Sequence, residues 1–221
     1  MTDALINVNG SNVQSLDIIL LMAVLTLLPS LVVMMTSFTR YVVVLSFLRT
    51  AMGTQQTPPN MVLVGMALIL TLFTMTPTLD AVKTEAYDPY AAGEITQEEF
   101  FDQAQAPLKE FMLRNTAPAS LELYCNMADV PAPESDAEAG DLPMRVVMPS
   151  FVTTELKRAF EIGFLLYIPF LLIDVIVSST LMSMGMVMLP PSMISTPFKI
   201  LLFIMLDGWQ LLFSTLITTV N

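Results

Sequence analysis

Hydrophobic positions fall in four long runs, separated by short polar breaks and one long acidic stretch. Ile18–Thr39 carries no charge, and at about 1.5 Å per helical residue it can cross a hydrocarbon core of roughly 30 Å. Pro29 interrupts it and is expected to kink the helix, after which the apolar pattern continues through Arg40 to Leu48. The second run, Met61–Leu79, ends at Asp80. The third opens as an amphipathic stretch, Phe151–Glu161, then turns apolar from Ile162 to Leu189 except at Asp174, with Pro169 as an expected kink. The fourth is Ile200–Val220, interrupted by Asp207-Gly208-Trp209. Two runs exceed a simple span: as helix, Ile18–Leu48 would reach about 46 Å and Phe151–Leu189 about 60 Å. Tilt absorbs some excess but not a doubling. Parts of these helices are therefore expected to leave the bilayer or pack against protein, which makes four hydrophobic segments but not necessarily four spans.

A repeated device joins the runs in pairs. Met52-Gly53 is followed, five residues after the glycine, by Pro58-Pro59, and Met184-Gly185 is followed at the same spacing by Pro190-Pro191. Glycine accepts the backbone angles that end a helix. Proline lacks an N–H and suits the first turn of the next one. Each copy reads as the tip of a helical hairpin. The pattern predicts an all-α integral membrane protein: a polar lead (1–17), a hydrophobic hairpin (18–79), an acidic helical insertion (80–150) and a second hairpin (151–221). Arg40, Arg49 and Lys199 flank the two tips. By the excess of positive charge in cytoplasmic loops, both tips are expected to face the cytoplasm, with the insertion and both termini outward. The hairpins then form a parallel repeat.

Within the insertion, Thr96-x-x-Glu99 has the pattern of a capping box, opening a helix with Phe100, Phe101 and Ala104. Pro107 is expected to start a second helix carrying Leu108, Phe111 and Met112, and Ser120 to cap a third through Tyr124 and Met127. Ala128–Pro143 is acidic and rich in proline and alanine, and reads as a disordered linker.

Composition narrows the chemistry. The chain has 221 residues, of which 54% are hydrophobic and 13% charged, against about 25% charged in a soluble domain. The net charge is −11, and the segment from Asp80 to Glu161 alone carries sixteen acidic against six basic residues. An acidic chain without a basic tract is a poor nucleic-acid binder. There is no histidine and one cysteine, Cys125, which excludes serine–histidine–aspartate and cysteine–histidine catalysis and an ordinary zinc site. Cys125 reads as a small buried apolar residue. No catalytic, metal or cofactor-binding set emerges, so no enzyme and no cofactor are expected. No basic residue precedes Arg40, so the basic region of a signal peptide is not seen.

Two features inside the apolar runs remain. Asp174 needs a cation or a proton, because an unpaired carboxylate in that setting costs several kcal/mol. Lys199 and Arg40 are candidate partners, and an ion pair that fixes packing competes with a proton relay. Methionines at 182, 184, 186 and 188 alternate. They could serve as ordinary apolar packing, or present several adaptable thioethers at one constriction.

Residues Leu45–Leu68 (LSFLRTAMGTQQTPPNMVLVGMAL), PLKEFMLRNT and Phe151–Leu212 resemble the FliP/SctR family of type III secretion export-gate proteins. Met52–Asn60 and the capped acidic insertion look more like the flagellar branch than the homologous gate of virulence injectisomes. The resemblance covers nearly the whole chain after residue 17. It implies a homopentamer that assembles with FliQ and FliR, works with FlhB and FlhA, and conducts unfolded flagellar proteins outward across the bacterial inner membrane. It further implies a methionine gasket at Met186, Val187 and Met188, where the family commonly has three methionines in a row and Val187 is a departure. The family's intramembrane charge pair falls on Asp174 and Lys199. An ion-coupled small-solute carrier, with Asp174 as the cation ligand, is the alternative from a different class.

Overall fold

The computed structural model describes residues 5–8, 11–14, 22, 26, 29–31, 33–133, 135–186 and 188–220. Phe38–Met52 forms α1, and its buried residues Tyr41, Val44, Leu45, Leu48 and Met52 recur at helical spacing on one face. Much of the run expected to cross the membrane as Ile18–Thr39 lies outside the described residues. Where it is described, the helix breaks at Thr36-Ser37, beyond Pro29. The Ser37 hydroxyl there does not cap α1. It hydrogen-bonds the Thr74 hydroxyl at 2.9 Å, on the neighbouring helix.

That neighbour is α2, Asn60–Val82. It does not stop at Asp80: a single π-helical turn, Lys83–Tyr87, leads into α3, Asp88–Ala91, so helix extends without interruption over Asn60–Ala91. Leu63, Ala67, Leu70, Thr71, Thr74, Met75 and Thr78 are buried, while Met61, Ile69, Leu72 and Phe73 on the other face are exposed.

The insertion departs from expectation in three places. Thr96 and Glu99 do form a reciprocal capping box at the start of α4, Gln97–Arg114. The Thr96 N–H and hydroxyl hold the Glu99 carboxyl below the usual range. Pro107, however, sits inside this one helix instead of starting another. The proline forfeits one backbone hydrogen bond, while Pro107, Phe111 and Met112 are buried on the packed face. The next helix, α5 (Pro118–Met127), starts before Ser120, with Pro118 in the first turn, where its missing N–H is of no consequence. Ala128–Pro143 is not structureless: α6, Asp136–Asp141, lies within it. Ser135 caps α6, Lys109 Nζ donates to the Gly140 carbonyl at 2.5 Å, and Leu142 is buried.

The longest element is α7, Met144–Ser183, 40 residues that continue through Pro149 and Pro169. At about 1.5 Å per residue this is about 60 Å, twice a hydrocarbon core. Its two halves differ. Val147, Phe151, Glu155, Ala159 and Gly163, four apart, are buried along the first half, while Phe164, Leu165, Leu171, Leu172, Val175 and Ile176 are exposed along the second. A Cβ on Gly163 would lie 2.6 Å from the Phe47 ring, so glycine is what lets α7 close on α1. The two helices run parallel: Phe47 packs edge-on against Phe160 at 5.1 Å, with Arg40 level with Glu155 nearer their N-termini.

The chain ends in α8, Pro191–Met205, and α9, Gly208–Thr218, bent by 65° between them. Asp207 takes a left-handed φ of 49° at the bend, the break expected at Asp207-Gly208. Within the lead, Leu5–Val8 (β1) and Ser11–Gln14 (β2) pair antiparallel. The fold is thus all-α with apolar helices long enough to cross a membrane, apart from this one short hairpin.

Candidate functional site

The two Gly…Pro-Pro tips lie at corresponding ends of the parallel helices. In tip 1, Gly53 has φ 75° and its N–H bonds the Thr50 carbonyl. The Thr54 hydroxyl donates to the Arg49 carbonyl at 3.3 Å, satisfying the acceptor that a second backbone N–H would take. The Thr57–Pro58 peptide is cis, and Pro59 immediately precedes α2. Arg49 reaches across the turn, donating to Asn60 Oδ1 at 2.5 Å and to the Pro58 carbonyl at 3.3 Å.

In tip 2, Gly185 has φ 77°, its N–H bonds the Met182 carbonyl, and the Met186 N–H bonds the Leu181 carbonyl. These two bonds make a Schellman motif that closes α7. Pro190 precedes α8 and Pro191 opens it. The methionines stand clear of this frame: Met182, Met184 and Met186 are exposed, and Met188 is 97% exposed. Val187 lies outside the described residues.

A polar junction ties the root of tip 1 to α7 and α8. Lys199 Nζ donates to Asp174 Oδ2 at 2.6 Å and to the Ala51 carbonyl at 3.0 Å, in the last turn of α1. Ser195 donates to the other Asp174 oxygen at 2.6 Å. An ammonium at a helix C-terminus complements both its free carbonyls and its dipole. A Cβ on Gly53 would sit 3.0 Å from Thr196 Oγ1, so tip 1 also touches α8. Beyond the level of Asp174, α7 runs on for about 15 Å to tip 2.

A second ion pair was not visible as such in the sequence. Arg40 does not reach Asp174. It is fully buried and grips the fully buried Glu155 through two guanidinium nitrogens. Its third nitrogen donates to the Thr219 carbonyl at 2.7 Å. One side chain thereby joins α1, α7 and the end of α9. The signal for Glu155 was its position: a carboxylate four residues from Phe151 and four from Ala159 stands on an otherwise apolar stripe.

Among the described residues no three histidine, cysteine, aspartate or glutamate side chains group as metal ligands. Cys125 is buried, and burial pushes its thiol up, away from the reactive thiolate.

Comparison with known sequences gives the family. A profile described as the FliP family matches residues 21–216. The flagellar biosynthetic protein FliP of Aquifex aeolicus (strain VF5) is 48% identical, over 94% of this chain and 87% of its own length. FliP of Bacillus subtilis (strain 168) is 48% identical, over 93% and 92%, and FliP of Pectobacterium carotovorum 47%, over 98% and 83%. With a matched profile over most of its length and relatives this similar end to end, the chain belongs to the FliP family.

Proposed function

We propose that this chain is a subunit of the protein-conducting export gate of the bacterial flagellar type III secretion apparatus, passing unfolded flagellar proteins across the inner membrane. In this reading several copies, five by family resemblance, form a ring with FliQ and FliR, next to FlhB and FlhA. The acidic insertion faces outward and both tips face the cytoplasm. Met186, Val187 and Met188 of each copy form the gasket, and Asp174–Lys199 is an intramembrane pair that fixes helix packing.

The observation that carries this reading is the contrast along one helix. The first half of α7 is locked into the bundle, and the second half extends an apolar shaft to an exposed methionine turn. Unbranched thioether side chains repack at low cost around chains of varied shape. A narrow apolar constriction also resists wetting. The exposed faces of α2, α7 and α8 supply surface for neighbouring copies, partners or lipid. The ion-coupled carrier is disfavoured by the junction itself, where both Asp174 oxygens are engaged by Lys199 and Ser195.

Native mass spectrometry after mild-detergent extraction tests the assembly. A gate subunit comes out in a large complex holding several copies of this chain, whatever solute is present. A monomer whose stability rises with a small solute would contradict the proposal.

A further inference from the structure

Tip 2 concentrates thioethers. Met182, Met184, Met186 and Met188 fall within seven residues, and all four are exposed, Met182 in the last turn of α7 and the others from the turn that Gly185 creates onward. Met61, Met127, Met193 and Met205 are also exposed, each standing apart from other exposed methionines, whereas Met52, Met75 and Met112 are buried at 5%, 1% and 0% exposure. Thioether oxidation follows access to the sulfur. Among the described residues no hydrogen bond or ion pair engages these four side chains, and the backbone beneath them is held by the Schellman bonds Gly185 N–H to Met182 and Met186 N–H to Leu181. The sulfurs can therefore react without unfolding the turn.

We infer that tip 2 is a methionine-oxidation site, and that sulfoxide formation there makes the closed gate leak. The oxidant class is a peroxide. A sulfur lone pair attacks one peroxide oxygen, the O–O bond breaks, and the S–O bond forms. Sulfur loses two electrons, and the second oxygen departs as water from hydrogen peroxide, or as an alcohol from an organic peroxide. A sulfoxide is polar and a strong hydrogen-bond acceptor. Replacing thioethers with sulfoxides in every copy of a ring draws water into the constriction that apolar side chains had kept dry. Methionine sulfoxide reductases return the thioether, so the change is reversible. The modification stands on exposure and chemistry alone, whereas its consequence rests on the gate reading.

The test uses the assembled complex in lipid vesicles, with hydrogen peroxide as the probe. Peptide mass spectrometry follows single oxygen additions over time. Met184, Met186 and Met188 are expected to gain oxygen roughly tenfold faster than Met52, Met75 and Met112. Equal rates would overturn the inference. In parallel, ion flux is measured before and after peroxide, each complex being compared with itself. Flux is expected to rise several-fold in the wild type, to fall back after treatment with sulfoxide reductases A and B, and to stay unchanged in Met182→Leu/Met184→Leu/Met186→Leu/Met188→Leu, which holds no oxidisable sulfur at these positions. An equal rise in that variant would place the damage elsewhere and overturn the inference. Failure of the gate reading is separable: Met186→Ala/Met188→Ala would then leave untreated flux unchanged even though the oxidation map came out as expected.

Discussion

Tip 1 and tip 2 turn the chain with the same backbone device, a left-handed glycine followed five residues later by two prolines, yet they are finished in opposite ways. Tip 1 is tied down. Arg49 spans its loop, the Thr54 hydroxyl takes up a carbonyl, Gly53 abuts Thr196, and Lys199 caps α1 just behind it. Tip 2 has α7 closed by two backbone hydrogen bonds and its methionines exposed. Backbone punctuation thus sets where a helix turns, and the residues between glycine and proline set what the turn is for. In tip 1 (TQQT) the Thr54 hydroxyl ties the loop back to the end of α1. Met186, Met188 and Leu189 in tip 2 leave an exposed apolar surface.

The contrast should break most completely from below, at the ion pair on which both hairpins rest. Arg40→Ala leaves Glu155 buried without its partner and frees the Thr219 carbonyl, at a cost of about 3–5 kcal/mol. Complex recovered after detergent extraction should fall to near zero. Arg40→Met with Glu155→Leu removes both charges and should restore much of it, because paired apolar residues avoid the desolvation penalty.

A smaller effect is expected at the junction behind tip 1. Lys199→Ala removes a cap from α1 and strands Asp174, whose side chain is 33% exposed, so water offsets part of the loss. A cost of about 1–3 kcal/mol follows. Thermal unfolding of the purified complex should show a lowered midpoint, and Asp174→Asn, which keeps an acceptor for Ser195, should lower it less than Asp174→Ala.

The glycines sharpen the comparison directly. Both sit at positive φ, where any side chain costs about 1–2 kcal/mol. Only at Gly53 would the new Cβ also press on a neighbour, Thr196 Oγ1 at 3.0 Å, whereas at Gly185 it meets nothing within 4 Å. Gly53→Ala should therefore lower the unfolding midpoint more than Gly185→Ala. Equal shifts would mean that tip 1 is not braced by α8.

Much of this frame is legible in the sequence because it rests on local chemistry. The Gly…Pro-Pro tips, the Thr96–Glu99 box and the break at Asp207-Gly208 depend on residues a few positions apart. What was missed depends on contacts between distant segments. Pro107 reads as a helix start, but burial of Phe111 and Met112 carries the helix past it. Ala128–Pro143 reads as disordered by composition, but Leu142 and the Lys109 contact to Gly140 fold part of it back. Arg40 reads as a loop charge until Glu155, 115 residues away, is seen beside it. The strands Leu5–Val8 and Ser11–Gln14 differ in kind, since the Asn-Gly dipeptide between them in the sequence is a strong local hairpin signal.

The division of labour between the tips is tested most directly by ion conductance of the assembled complex in a planar bilayer. Met186→Ala/Met188→Ala removes the bulk of the apolar turn from every copy, while Gln55→Ala/Gln56→Ala trims tip 1 to a similar extent. With both rings shown intact by electron microscopy, the methionine pair should raise resting conductance several-fold, and the glutamine pair should leave it at the wild-type level. A leak from the glutamine pair, or an unchanged conductance in the methionine pair, would contradict the assignment of the seal to tip 2.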